Sequence, residues 1–129
     1  MCWITKCNKH RQAKIAKRNI KTWKIVSIKS DTDGNITFKP RYYDYKTTYW
    51  LNQQYNVKIH IKDVEDWYMT IDYGIHSYSK HAINYRGIVT QYEKGLAIME
   101  CIIPRGTKYY INEYGEYVSE SIIPIAINK

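Results

Sequence analysis

The region from Gly95 to Ile127 restricts the fold of this chain more than any other. Gly95-Leu-Ala-Ile-Met-Glu-Cys-Ile-Ile is an almost unbroken apolar run, and Pro104, which cannot donate to a sheet ladder, ends it. Arg105-Gly106-Thr107 then reads as a turn, and Lys108 to Ile111 as a second strand of residues suited to a pleated surface. Asn112-Glu-Tyr-Gly supplies another turn, and Tyr117-Val118 opens a third strand that runs on through Ile122 to Ile127. Strands joined by turns this short predict an antiparallel meander. Within the apolar run, alternation places Glu100 on the side opposite Met99 and Cys101.

The same grammar recurs upstream. Lys21-Thr-Trp-Lys-Ile-Val-Ser alternates, with Trp23, Ile25 and Ser27 to one side, and predicts a first strand. Asp31-Thr-Asp-Gly-Asn is a turn signal, with Ile36 to Lys39 as the return strand before Pro40. Val57 to Ile61 alternates so that His60 points outward, Asp63 to Asp66 reads as an acidic turn, and Trp67 to Ile71 brings the chain back apolar. Lys80 to Tyr85 has helical spacing behind Ser79, a residue suited to an N-cap. Residues 1–19 lack clean periodicity, although Gln12 to Arg18 is long enough for one or two helical turns. At 129 residues this amounts to one α+β domain dominated by antiparallel strands, with one or two short helices. The expected division is a basic arm over residues 1–20, packed on or extending from the body, and a domain over 21–129.

Charge is distributed unevenly. Of 20 basic residues, nine lie between Lys6 and Lys29 with no acidic residue among them, while the remainder carries 11 basic against 12 acidic side chains. The field therefore belongs to the N-terminal segment, which would attract nucleic acid, an acidic protein face or a phosphorylated small molecule, or would simply be a solvated arm. The 14 tyrosines against one phenylalanine can line a partly wet groove or finish strand faces. Cys2, Cys7 and Cys101 are an odd set without metal spacing, which reads as a reducing compartment with no structural disulfide. No apolar run approaches the roughly 20 residues of a membrane span. These features lead to the expectation of a cytoplasmic protein that does not enter membranes.

Two resemblances add to this reading. The Met1-Cys2 start, Ile15-Ala-Lys-Arg-Asn-Ile leading to Trp23-Lys-Ile-Val, the Pro40 to Tyr45 segment, Gly74-Ile-His-Ser-Tyr, and Cys101-Ile-Ile-Pro-Arg-Gly-Thr-Lys-Tyr-Tyr with Tyr117-Val-Ser resemble small accessory proteins of tailed phages and gut bacteria of the Bacteroides type. That resemblance implies an accessory, anti-defence role in an infected or carrying bacterial host, and brings no activity with it. Gly74-Ile-His-Ser-Tyr-Ser-Lys also looks like the Ser-rich strand of ADP-ribosyltransferases. Glu100-Cys-Ile-Ile-Pro-Arg-Gly-Thr-Lys looks like the strand that carries their catalytic glutamate. This second resemblance implies an ADP-ribosyltransferase-like fold, a pocket for NAD or an ADP-ribose-like ligand, and Glu100 as the group stabilising positive charge on the ribose. Ile98 stands where that family has Glu or Gln, and Arg41, beside a proline, is the one candidate for its early-strand arginine.

Read residue by residue, candidate chemistry gathers in a few places. His76, Ser77, Tyr78 and Ser79, next to Gly74, form the best ligand pocket in the sequence, with a satisfied structural histidine as the alternative. Arg41, Tyr43, Tyr45 and Trp50 form an aromatic and cationic segment that can stack on bases or pack on the sheet, and Arg105 adds a further cation. Glu100 is either a catalytic carboxylate or an outward one. Removal of Met1 would leave Cys2 with a free α-amine, a nucleophile that carries its own base. No Gly-rich phosphate loop or zinc spacing occurs, no metal is expected and no cofactor is required.

The reading that follows is a protein that binds and sequesters a nucleotide-like anionic ligand, such as a host signalling nucleotide, between the His76 strand and the 41–50 segment. Two alternatives stay open. One is a degenerate or active ADP-ribosyltransferase-like enzyme, which needs Glu100 in the same cleft as His76 and Ser77. The other is a module that binds a host protein or nucleic acid through the basic arm. A pocket shared between subunits would make the protein a homo-oligomer, and the sequence leaves that open as well.

Overall fold

The computed structural model describes residues 3–30, 33, 36–40, 48–84 and 95–128. Among these residues twelve strands are formed. The first eight are β1 (Trp3–Thr5), β2 (Lys14–Ile15), β3 (Ile20–Ser30), β4 (Ile36–Pro40), β5 (Tyr55–Asn56), β6 (His60–Val64), β7 (Met69–Tyr73) and β8 (Ile75–Tyr78). The last four are β9 (Leu96–Ile103), β10 (Lys108–Ile111), β11 (Glu116–Ser119) and β12 (Ser121–Asn128). A single 3-10 turn covers Asn8–His10, and residues 80–84 are helical. No helix among the described residues is long and apolar enough to cross a membrane. The molecule is a small, mostly antiparallel β domain with one short helix, as its alternating segments predict.

The large sheet runs β2-β10-β11-β8-β3-β9-β12-β5, with β4 paired to β3. This order corrects the expected meander. β9 does not pair with β10, because both of its edges are taken, by β3 from Ile20↔Ile103 to Ser27↔Leu96 and by β12 from Ile123↔Ile102 to Asn128↔Ile98. Pro104 therefore ends β9 at a corner, from which the chain crosses to the far side of the sheet. Only β10 and β11 form the expected local hairpin. Gln12 to Arg18, long enough for helical turns, instead holds β2 and the loop after it. The strand expected over Val57 to Ile61 forms only at its end, where His60 and Ile61 open β6, while residues 57–59 link β5 to it; Asp63 lies inside β6, so the reversal falls at Glu65 to Tyr68, where Glu65 N–H donates to the Tyr68 carbonyl at 2.8 Å. His60 is exposed, as alternation predicts, and pairs with Asp72 at 2.5 Å. The turn expected around residues 31–35 lies outside the described residues except for Asp33.

Only Glu120 separates β11 from β12, yet four strand-to-strand steps lie between them in the sheet. In a flat sheet those steps would span about 19 Å, whereas the Cα atoms of Ser119 and Ser121 can stand no more than about 8 Å apart. The sheet must therefore curl until β11 and β12 become two halves of one bent strand. The circuit β3-β9-β12-β11-β8 then closes on itself through the Trp23↔Tyr78 pair. Pro124 is accommodated at the register shift in β12, where no ladder N–H is required of it.

Closure gives the ring an inside. Ala97, Met99, Cys101 and Ile103 alternate inward from β9, and Val26, Ile75 and Ile122 join them under Tyr49. Across β3 the residues facing Cys101, Met99 and Ala97 are Thr22, Lys24 and Val26, so a lysine points into the core. Trp23 and Ile25 do share the opposite face.

Over β10 and β11 the outer face is covered by a second sheet, ordered β1-β7-β6, whose Trp3, Met69 and Ile71 pack on Tyr110 and Val118. Residues 1–20 thus contribute β1 to this sheet and β2 to the large one. Hydrogen bonds fix β1 in place: Trp3 Nε1 donates to the Glu116 carbonyl at 2.8 Å, and Thr5 Oγ1 donates to the Glu113 carboxylate at 2.6 Å. Between β7 and β8, Gly74 lies so close to β11 that a Cβ there would collide with Val118 Cγ2.

Candidate functional site

Those of the singled-out residues that the structure describes do not converge on one cleft. Cys2, Arg41, Tyr43 and Tyr45 lie outside the described residues. Ser79 acts as the helix cap expected of it, its hydroxyl accepting from Ala82 N–H at 3.2 Å and its carbonyl from Ile83 N–H at 2.9 Å. Gly115 is held against it, and a Cβ at that position would collide with Ser79 Oγ. Trp50 is exposed and uses its N–H on the Tyr55 hydroxyl at 2.6 Å. Tyr78 is half-buried, in register with Trp23, which in turn opposes Glu100. His76 faces the covering sheet beside Val118. Burial, then the charge of Lys24, push its pKa down to about 3, which keeps it a neutral imidazole.

Glu100 sits on the outer face of β9, and its carboxylate pairs with Lys21 at 3.1 Å. Ser77 faces the opposite way, into the ring, fully buried. Glu100, His76 and Ser77 are therefore not gathered around a common space.

Inside the ring, Lys24 Nζ donates to the His76 carbonyl and lies 5.7 Å from the Tyr49 ring centroid. Burial lowers its pKa to about 8, opposed by the Cys101 thiol beside it. That thiol is itself pushed up to about 12, mainly by burial, so it stays protonated and inert. Ser77 Oγ and Thr22 Oγ1 are buried without a hydrogen-bond partner among the described residues.

What the structure does assemble is an open groove of about 920 Å³, lined by Lys14, Ile15, Lys17, Arg18, Asn19, Ile20, Lys21, Tyr109 and Tyr117. Each wall has a local cause. Lys14 and Ile15 pair with Tyr109 and Lys108 of β10, which makes β2 the edge strand of the large sheet. The segment after β2 is pinned by the corner that follows β9. Ala16 N–H donates to the Thr107 carbonyl at 2.9 Å, Gly106 N–H to the Ala16 carbonyl at 2.8 Å, and Arg105 N–H to Asn19 Oδ1 at 2.9 Å. The turn needs Gly106, whose φ is +89°. Arg105 is thereby placed beside the groove.

The aromatic wall is a cross-strand pair, Tyr109 and Tyr117, with ring centroids 5.9 Å apart and planes tilted by 40°. Burial and the neighbouring Tyr109 raise the pKa of Tyr117, so its hydroxyl remains a proton donor. Tyr117 is directly opposite Ser77, and Ile20 stands two residues from Thr22, so this wall continues the face that lines the ring's interior. Four cations around two tyrosine rings can neutralise phosphate while offering flat apolar surface to a planar group. The basic run is visible in the sequence, but its aromatic partners lie some ninety residues away and become neighbours only through the β2–β10 pairing.

Comparison with protein-family models, with curated proteins and with solved structures finds no match to this chain.

Proposed function

We propose that this chain binds a nucleotide-like, phosphate-bearing ligand in the groove between the 14–21 segment and the β10–β11 hairpin. The observation that carries this reading is the joining of Lys14, Lys17, Arg18 and Lys21 with the Tyr109–Tyr117 pair around one open space. Binding without turnover suits the site, because Glu100, the carboxylate an enzyme reading needs, is engaged by Lys21 and turned away from Ser77. Sequestration of a phosphorylated host molecule would fit the accessory, anti-defence role that the phage-type resemblance implies.

The test is thermal unfolding against a panel containing ADP, NAD, ADP-ribose and cyclic oligonucleotides. A ligand held only by the folded state adds about 2.7 kcal/mol of stability at a hundredfold excess over its Kd. The Lys17→Gln/Arg18→Gln variant should abolish the shift while melting like the parent. A shift that survives in this variant would place the ligand elsewhere.

A further inference from the structure

The cations of the groove are strung out rather than gathered. Lys14 belongs to β2 and Lys21 to β3, and β10, β11 and β8 lie between those strands in the sheet. Lys17 and Arg18 sit on the connection between them, while exposed Arg105 and Lys108 flank the same edge. Among the described residues, the one carboxylate paired with a groove cation is Glu100, on Lys21. A single phosphate or diphosphate group would call for cations converging on a point, whereas these follow a line, as a chain of phosphates would. The tyrosines agree, since two tilted rings 5.9 Å apart offer separate faces to two successive planar groups. Asn19, the one amide side chain in the lining, already accepts from Arg105 through its Oδ1, so the lining offers no free carboxamide pair with which to read base edges.

Resting on the reading of the groove as a phosphate-binding site, we propose that its occupant is a single-stranded nucleic acid. Its phosphates run along Lys14, Lys17, Arg18 and Lys21, and two of its bases stack on Tyr109 and Tyr117. Such binding tolerates any sequence, because every base has a π-face and the backbone charge is uniform. The protonated Tyr117 hydroxyl adds a donor at the rim.

The experiment is fluorescence anisotropy of the full chain with labelled ten-nucleotide oligo-dT and oligo-U, competed by ADP, by polyphosphate and by a duplex of equal length. The strand should bind at least about a hundredfold more tightly than ADP. Log K should fall with log salt at about −0.7 per phosphate neutralised. Tyr109→Leu, which keeps the apolar body, should weaken binding about tenfold at an unchanged salt slope. Lys17→Gln/Arg18→Gln should flatten the slope by about one or more. Since both altered cations are exposed, this second variant keeps the test sound if Tyr109→Leu folds poorly. Competition by ADP at equal affinity would overturn the strand and leave the phosphate groove standing. Tighter binding of the duplex, or of polyphosphate with Tyr109→Leu indistinguishable from the parent, would overturn the single strand and its stacking. No binding of any phosphate compound would overturn both this proposal and the reading it rests on.

Discussion

Lys21 and Lys24 lie three residues apart on β3 and have opposite surroundings. Lys21 faces outward, pairs with Glu100 and lines the groove, its side chain more than half exposed. Lys24 faces the ring's interior with its amine desolvated, held by the His76 carbonyl and the face of Tyr49. The comparison shows how differently one charge behaves at an odd and an even position of a strand. At Lys21 charge is cheap and available to a ligand. At Lys24 it works against the folded state, and burial moves the amine toward its neutral form.

The contrast can be tested from the largest effect downward. Met99→Ala, in the interior beside Lys24, should cost about 2–5 kcal/mol in urea unfolding and leave phosphate binding by the folded protein intact. A change in groove affinity would show that the two regions are mechanically one.

Acid should act next, through His76. The unfolded chain takes up this proton as pH falls through about 6.5, whereas the folded chain resists until about 3. The stability is therefore complete above 6.5 and lost progressively as pH falls through that window, about 3 kcal/mol of it by pH 4. Urea midpoints at pH 7 and pH 4 for the parent and His76→Gln should differ, with the variant showing the shallower fall.

Lys24→Met should raise stability at pH 7 by about 1–3 kcal/mol, since an apolar chain of similar length replaces a buried amine. Here the folded pKa, about 8, lies below the ordinary 10.5. Between these values the unfolded chain binds more protons, so parent stability rises with pH and the advantage of the variant should shrink between pH 7 and 9.5. A variant less stable than its parent at pH 7 would mean that the amine's contacts outweigh its desolvation. Lys21→Gln should be the mildest, within about 1 kcal/mol of the parent because its ion pair is solvent-screened, yet it should weaken phosphate binding. If Lys21→Gln altered stability more than Lys24→Met, the comparison would fail.

What was legible in the sequence was local. The alternation of β9, the stop at Pro104, the Ser79 cap and the 108–119 hairpin all depend on residues within a few positions of one another. Partner choice is not local. The short Arg105-Gly106-Thr107 link suggested that β9 and β10 pair, but an 11-residue β3 offered β9 a longer ladder, and the link became the clamp on the 16–19 segment instead. The burial of Lys24 is not legible, because alternation separates two faces without saying which will be enclosed. The groove was half-visible for the same reason: its charges are contiguous in sequence, and its rings are supplied by a strand pair from the other end of the chain.

The bent strand at Glu120 also governs how the molecule assembles. Its N–H donates to the Lys108 carbonyl, its carbonyl accepts from Val57 and its carboxylate accepts from Ile59, so one residue secures three distant segments. Neither β8 nor β9 can fill its second edge until residues 116–128 arrive. Closure is thus a late, long-range event, of the kind that makes β-rich chains fold in milliseconds to seconds rather than microseconds. During that interval the open edges of β8 and β9 are exposed to other chains, so a substitution that slows the bend at Glu120 should appear first as aggregation during refolding, before any loss of native stability.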